Sequence, residues 1–120
     1  MGTMRFFAAH VEGSTLIVAP TGPVSNLVGH EVQPEVNQLL ALFQKGQCRD
    51  VVVDMEKVSF FGSVLLAALN SIFRQVRQRQ GRLAVCNLSG VGLEVLHVAR
   101  FDTLWEIHPT REEALDSLHS

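Results

Sequence analysis

The sequence predicts an α/β fold, a mixed or mostly parallel β-sheet of about five strands with helices on at least one face. Three observations predict it. Strand-like and helix-like segments alternate after an opening hairpin. Two short runs, Asp50 to Met55 and Leu83 to Cys86, are apolar in the continuous way of strands buried on both faces. The intervening stretches repeat apolar residues at helical spacing. The predicted order is β β α β α β α β α, and such alternation implies right-handed crossovers between parallel strands.

Each element has its own signal. Met4 to Val11 and Thr15 to Pro20 are rich in β-branched and aromatic residues, and Glu12-Gly13-Ser14 between them makes a hairpin turn. Pro20-Thr21-Gly22-Pro23 stops the second strand, and Asn26 is placed to cap a following turn. Pro34 fits the first position of a helix better than its middle. From there Val36, Leu39, Leu40 and Phe43 recur on one face, and Lys45-Gly46 marks the end. A long helix is expected from about Ser63 to Gln80, closed by Gly81. A third helix is lined by Leu93, Leu96 and Val98. Leu104 to Ile107 reads as a short last strand. Thr110-Arg111-Glu112-Glu113 has the form of a capping box opening a final helix with Ala114, Leu115 and Leu118.

Composition narrows the function classes. A chain of 120 residues has room for one core, expected here over residues 4–118 as a single domain. With 47% apolar and 18% charged residues it is a folded globular sequence. A net charge of −2 provides no electrostatic basis for binding nucleic acid or an anionic membrane. No run approaches the roughly 18 apolar residues of a membrane span, and the N-terminus has no signal-peptide core. Cys48 and Cys86 do not form a CxxC pair or a disulfide framework, which fits a reducing compartment. The protein therefore reads as cytoplasmic.

The search for catalytic chemistry finds little. His10, His30, His97, His108 and His119 are scattered, with no metal-ligand spacing, so no metal is expected. Gly90-Val91-Gly92 lacks the third glycine of a dinucleotide fingerprint and there is no Walker A motif, so no cofactor is expected either. Asp54 and Glu56 read as a strand's exit to solvent, and Trp105 as a core or edge residue. Arg74, Arg77, Arg79 and Arg82 read as a solvated helix face. No nucleophile and base stand together in sequence, so an enzyme is the least favoured reading. The spatial relation of Ser63 to His30 and His97 is the remaining question for it.

One segment is specific: Val51 to Met55, Glu56-Lys57-Val58-Ser59, Phe60-Phe61-Gly62, then Ser63-Val64-Leu65-Leu66-Ala67-Ala68-Leu69. A buried strand, a polar link, an aromatic step and a serine opening a long helix resemble the STAS domain family, which includes anti-sigma factor antagonists. Gly81-Arg82-Leu83-Ala84-Val85-Cys86-Asn87 is similar to the family's Gly-Gly-x-Leu-x-Leu segment. Val95 to Trp105 is similar to its Leu-Leu-x-ϕ-x-Gly-ϕ-Asp-x-ϕ-Phe segment. The resemblance runs from Phe6 to Leu118 and implies a STAS-like mixed β-sheet of about five strands with four helices packed mainly on one face.

It also implies partner switching. The serine at this turn in anti-sigma antagonists is phosphorylated by an ATP-dependent kinase that is itself an anti-sigma factor, and phosphorylation breaks the complex. Ser63 matches that serine, which makes it the phosphorylation candidate. Ser25, Gly62, Ser63, Val64 and Leu65 are the implied partner-binding positions. The family's Asp-Ser-Ser/Thr-Gly motif reads Gly62-Ser63-Val64-Leu65 here, and Ser25 stands where an acidic residue ends the second strand. Ser63 thus has two readings, a switch or an ordinary N-cap. The function likewise has three: a phosphorylation-controlled antagonist, a constitutive STAS scaffold of a larger sensory or transport complex, or a small-ligand sensor.

Overall fold

The computed structural model describes residues 4–21 and 28–119. Its elements run β1 Phe7–Glu12, β2 Thr15–Pro20, α1 Gly29–Lys45, β3 Asp50–Asp54, α2 Ser63–Gln78, β4 Leu83–Cys86, α3 Gly90–Val98, a 3-10 turn Phe101–Thr103, β5 Glu106–His108 and α4 Arg111–His119. They form one five-stranded sheet in the order β1-β2-β3-β4-β5, antiparallel between β1 and β2 and parallel thereafter. The expected α/β architecture is therefore present.

Strand alternation divides the sheet into two unequal cores. Leu16, Val18, Val51, Val53, Leu83 and Val85 point to the face covered by α1, α2 and α3. Each crossover steps one strand onward in the same direction, so crossovers of one hand leave all three helices on that face. Ile17, Val52, Ala84 and Cys86 point to the other face, which α4 covers with Ala114 and Leu118. Among the described residues, three of the four α-helices thus share one face, and α4 lies opposite.

Several boundaries depart from the sequence expectation, each for a local reason. β1 begins at Phe7 rather than Met4, because the Arg5 and Phe6 amides donate instead to the buried Glu35 carboxylate at 3.0 and 2.9 Å. Pro34 lies inside α1, which starts at Gly29. The bond it cannot donate is to the His30 carbonyl, and His30 is exposed near the helix start, where water can substitute. Asn26 lies outside the described residues.

α2 ends at Gln78 rather than Gln80, and Gly81 is not its left-handed residue. Gln80 takes that conformation at φ 58°, with Gln80 N–H donating to Arg77 O and Gly81 N–H to Val76 O, a Schellman ending. Gly81 is required for another reason: a Cβ there would lie 1.7 Å from the Arg49 carbonyl oxygen. β5 starts at Glu106 because the Leu104 and Trp105 amides are taken by Phe101 O at 3.1 and 2.9 Å. Trp105 is a core residue, stacked on Phe101 at 4.4 Å and edge-on to Phe73 at 6.2 Å.

Candidate functional site

The β3–α2 connection is built to present one turn. Its base is fixed where Met55 N–H donates to Cys86 O at 2.9 Å and Val58 N–H closes a turn on Met55 O at 3.0 Å. Phe61 is buried in the main core, whereas its neighbour Phe60 is 52% exposed. One aromatic ring anchors the loop and the other faces solvent. From α3, the Ser89 hydroxyl donates to Ser59 O at 2.8 Å and accepts from Gly92 N–H at 3.0 Å.

Helix α2 follows with Leu65, Ala68, Leu69, Ile72, Phe73 and Val76 buried, the i, i+3, i+4, i+7 stripe of an amphipathic helix. Ser63 is its first residue and is exposed. The N-cap is Gly62, in extended conformation, which has no side chain with which to cap the helix. The N-cap reading of Ser63 is thereby corrected: Gly62 holds the cap position. The first turn of α2 also has no acidic residue, so the helix's own side chains do not compensate its positive end.

The other implied partner-binding positions separate. Gly62 and Val64 are half-buried at the surface of the turn. Leu65 is fully buried in the main core and offers no side chain to a partner. Ser25 lies outside the described residues. Ser63 and Val64 line a cleft of about 350 Å³ that continues to Val32 and Gln33 of α1.

A second surface adjoins the turn and was not expected. Leu93, Leu96 and Val98 share the helical spacing of α3, but of the three only Leu96 is buried, and Val98 is 72% exposed. Val91, Val95 and Val98 of α3 face Leu66 of α2 across an apolar groove of about 540 Å³. Apolar spacing had signalled burial here, and a core helix and a helix awaiting a partner are written with the same residues.

The charged groups mostly serve the fold. Asp54 is buried rather than a solvent exit, accepting from Glu56 N–H, Asn87 Nδ2 and Arg111 Nε at 3.0, 3.0 and 2.9 Å. Burial alone would raise its pKa, but these hydrogen bonds and the Arg111 charge outweigh it and hold the carboxyl below its usual value. Arg79 and Arg82 are ties rather than a solvated face. Arg79 donates to Cys48 O at 3.1 Å and lies over Phe43. Arg82 binds Glu106 through two nitrogens and also reaches Ser117.

His97 Nδ1 pairs with Asp102 Oδ2 at 2.9 Å, a bond that raises the imidazole's pKa, and not with Ser63. Among the described residues, no group of three or more His, Cys, Asp or Glu side chains is placed to hold a metal ion. Among the same residues, no helix is long and apolar enough to cross a membrane.

Comparison with known proteins agrees with this architecture. The sequence model of the STAS domain matches residues 7–114. A protein of Bordetella bronchiseptica named "Putative anti-sigma factor antagonist BtrV" is 29% identical over 99 residues, 82% of each chain. The structure of an anti-sigma-factor antagonist (STAS) domain protein from Planctomyces limnophilus superposes with TM-score 0.80 at 30% identity, covering 95% of this chain and 98% of that one. The Bacillus cell fate determinant SpoIIAA in its phosphorylated form shares the fold, with TM-score 0.70 at 20% identity over 92% and 97% of the two chains. This chain belongs to the STAS domain family.

Proposed function

We propose that the protein is a cytoplasmic, protein-binding regulator of the anti-sigma factor antagonist type, which binds a kinase that is also an anti-sigma factor and releases it when Ser63 is phosphorylated. The observation that carries this reading is the placement of Ser63 as the exposed first residue of α2, ahead of a first turn without acidic residues. A phosphate on Ser63 would meet unpaired backbone N–H groups and the positive end of the helix. It would also bring a charge of about −2 to a surface that must be desolvated for a partner to bind. The domain can lose its partner in this way without refolding. The relatives support the class: one carries an anti-sigma antagonist name, and SpoIIAA is known in a phosphorylated form.

The bound surface in this reading is the turn at Phe60, Gly62, Ser63 and Val64, extended by the α2–α3 groove. That groove also favours a second reading, a constitutive scaffold whose contacts ignore Ser63, because its lining is apolar except for Glu94. The two separate on the affinity of a partner kinase recovered by pull-down. The switch requires Ser63→Asp to weaken binding while Ser63→Ala does not; equal binding by both variants supports the scaffold.

A further inference from the structure

The two faces of the sheet are held by very different amounts of structure. Among the described residues, three helices close the front, whereas nine-residue α4 alone packs on the back of β3, β4 and β5. Its apolar contact comes from Ala114 and Leu118, with Leu115 half-buried beside them, on Ile17, Val52, Ala84 and Cys86. A helix this short does not hold itself together in water, so its attachments decide whether it is formed.

Those attachments are polar and sit at its two ends. At the start, Arg111 Nε donates to Asp54 Oδ2 at 2.9 Å. Near the finish, Arg82 Nη1 donates to Ser117 O at 3.1 Å and Nη2 to Ser117 Oγ at 2.9 Å, while the same guanidinium grips Glu106 of β5. His119 Nε2 lies 3.4 Å from Thr15 Oγ1. Only Pro109 and Thr110 separate α4 from β5. An element with few buried apolar side chains, held mainly by polar attachments at its ends, opens at lower free energy than the core it covers.

We propose that α4 is a strap that opens as a unit while the rest of the domain stays folded, uncovering the apolar back of the sheet around Val52, Ala84 and Cys86. The domain then has a conditional surface on the face opposite to α2 and Ser63. This opening does not depend on whether Ser63 is a switch.

The two free thiols report the two regions, since Cys86 is buried beneath α4 and Cys48 in the main core. Alkylation of the folded protein is followed for each cysteine by peptide mapping across a urea series. Cys86 is expected to react at least about tenfold faster than Cys48, and with a weaker urea dependence, because it needs only local opening. Leu118→Ala, which thins the strap's contact, raises the Cys86 rate at least about tenfold. Ile72→Val, a mild change in the front core, raises the Cys48 rate about fivefold and leaves Cys86 unchanged. A common rate and urea slope for both thiols overturns the proposal. So does an Ile72→Val that accelerates both alike, or a Leu118→Ala that leaves Cys86 unchanged.

Discussion

The Ser89 hydroxyl donates to the Ser59 carbonyl at 2.8 Å, tying the first turn of α3 to the loop that carries Ser63. The same oxygen accepts from Gly92 N–H, so one side chain caps α3 and fixes the candidate site's loop. Ser89→Ala removes both bonds and is expected to cost about 1–2 kcal/mol in denaturant unfolding. Faster amide exchange at residues 58–62 is expected with it. A loop that exchanges as in the parent protein would show that Ser89 serves α3 alone.

Ser63 itself should matter little to stability. Gly62 occupies the N-cap of α2, and Ser63 is the first helical residue after it. Ser63→Ala is therefore expected to change unfolding free energy by less than about 0.5 kcal/mol, against the roughly 1 kcal/mol of a lost N-cap. Thermal and urea unfolding measure the difference directly.

Acid should loosen the attachments of α4. Hydrogen bonds and Arg111 hold the Asp54 carboxyl below its ordinary value against the opposing effect of burial, and Arg82 does the same for Glu106. A carboxyl whose folded pKa is depressed adds stability that is fully present above its unfolded value, about 4, and is lost as pH falls through the folded one. Unfolding free energy is thus expected to be flat for these groups near neutrality and to fall below about pH 4. Arg111→Gln leaves buried Asp54 without its charged partner and costs about 1–3 kcal/mol at neutral pH, since Arg111 is itself partly exposed. The same variant should show a shallower loss in acid, measurable by urea titrations at several pH values.

Gln80 and Gly81 are adjacent and should respond oppositely. Gln80 holds a left-handed conformation that glycine adopts freely, so Gln80→Gly is expected to stabilise by about 0.5 kcal/mol after the added flexibility of the unfolded chain is counted. Gly81→Ala drives a Cβ into the Arg49 carbonyl and is expected to destabilise by about 3 kcal/mol or more. Paired urea melts of the two variants test both.

How much of this was legible follows from where each signal resides. The central strands were plain because Val51 to Val53 and Leu83 to Cys86 are apolar without interruption, as burial on both faces requires. The turn at Ser63 was found through its resemblance to a family pattern. Asp54 was misread because the group that makes its burial tolerable, Arg111, is 57 residues away. Leu65 was offered as a contact residue because position in a motif says nothing of which way a helix faces; the stripe from Leu65 to Val76 settles that. Val91 and Val98 were hidden for the opposite reason, since apolar residues at helical spacing announce a core even where the helix leaves them in solvent.

Whether Ser63 acts as the switch is decided by site-resolved mass measurement after incubation with ATP and the partner kinase. One added phosphate is expected, located at Ser63 and absent in Ser63→Ala, together with release of the phosphorylated protein from the complex. No phosphate at Ser63, or a phosphorylated protein that stays bound, would contradict it.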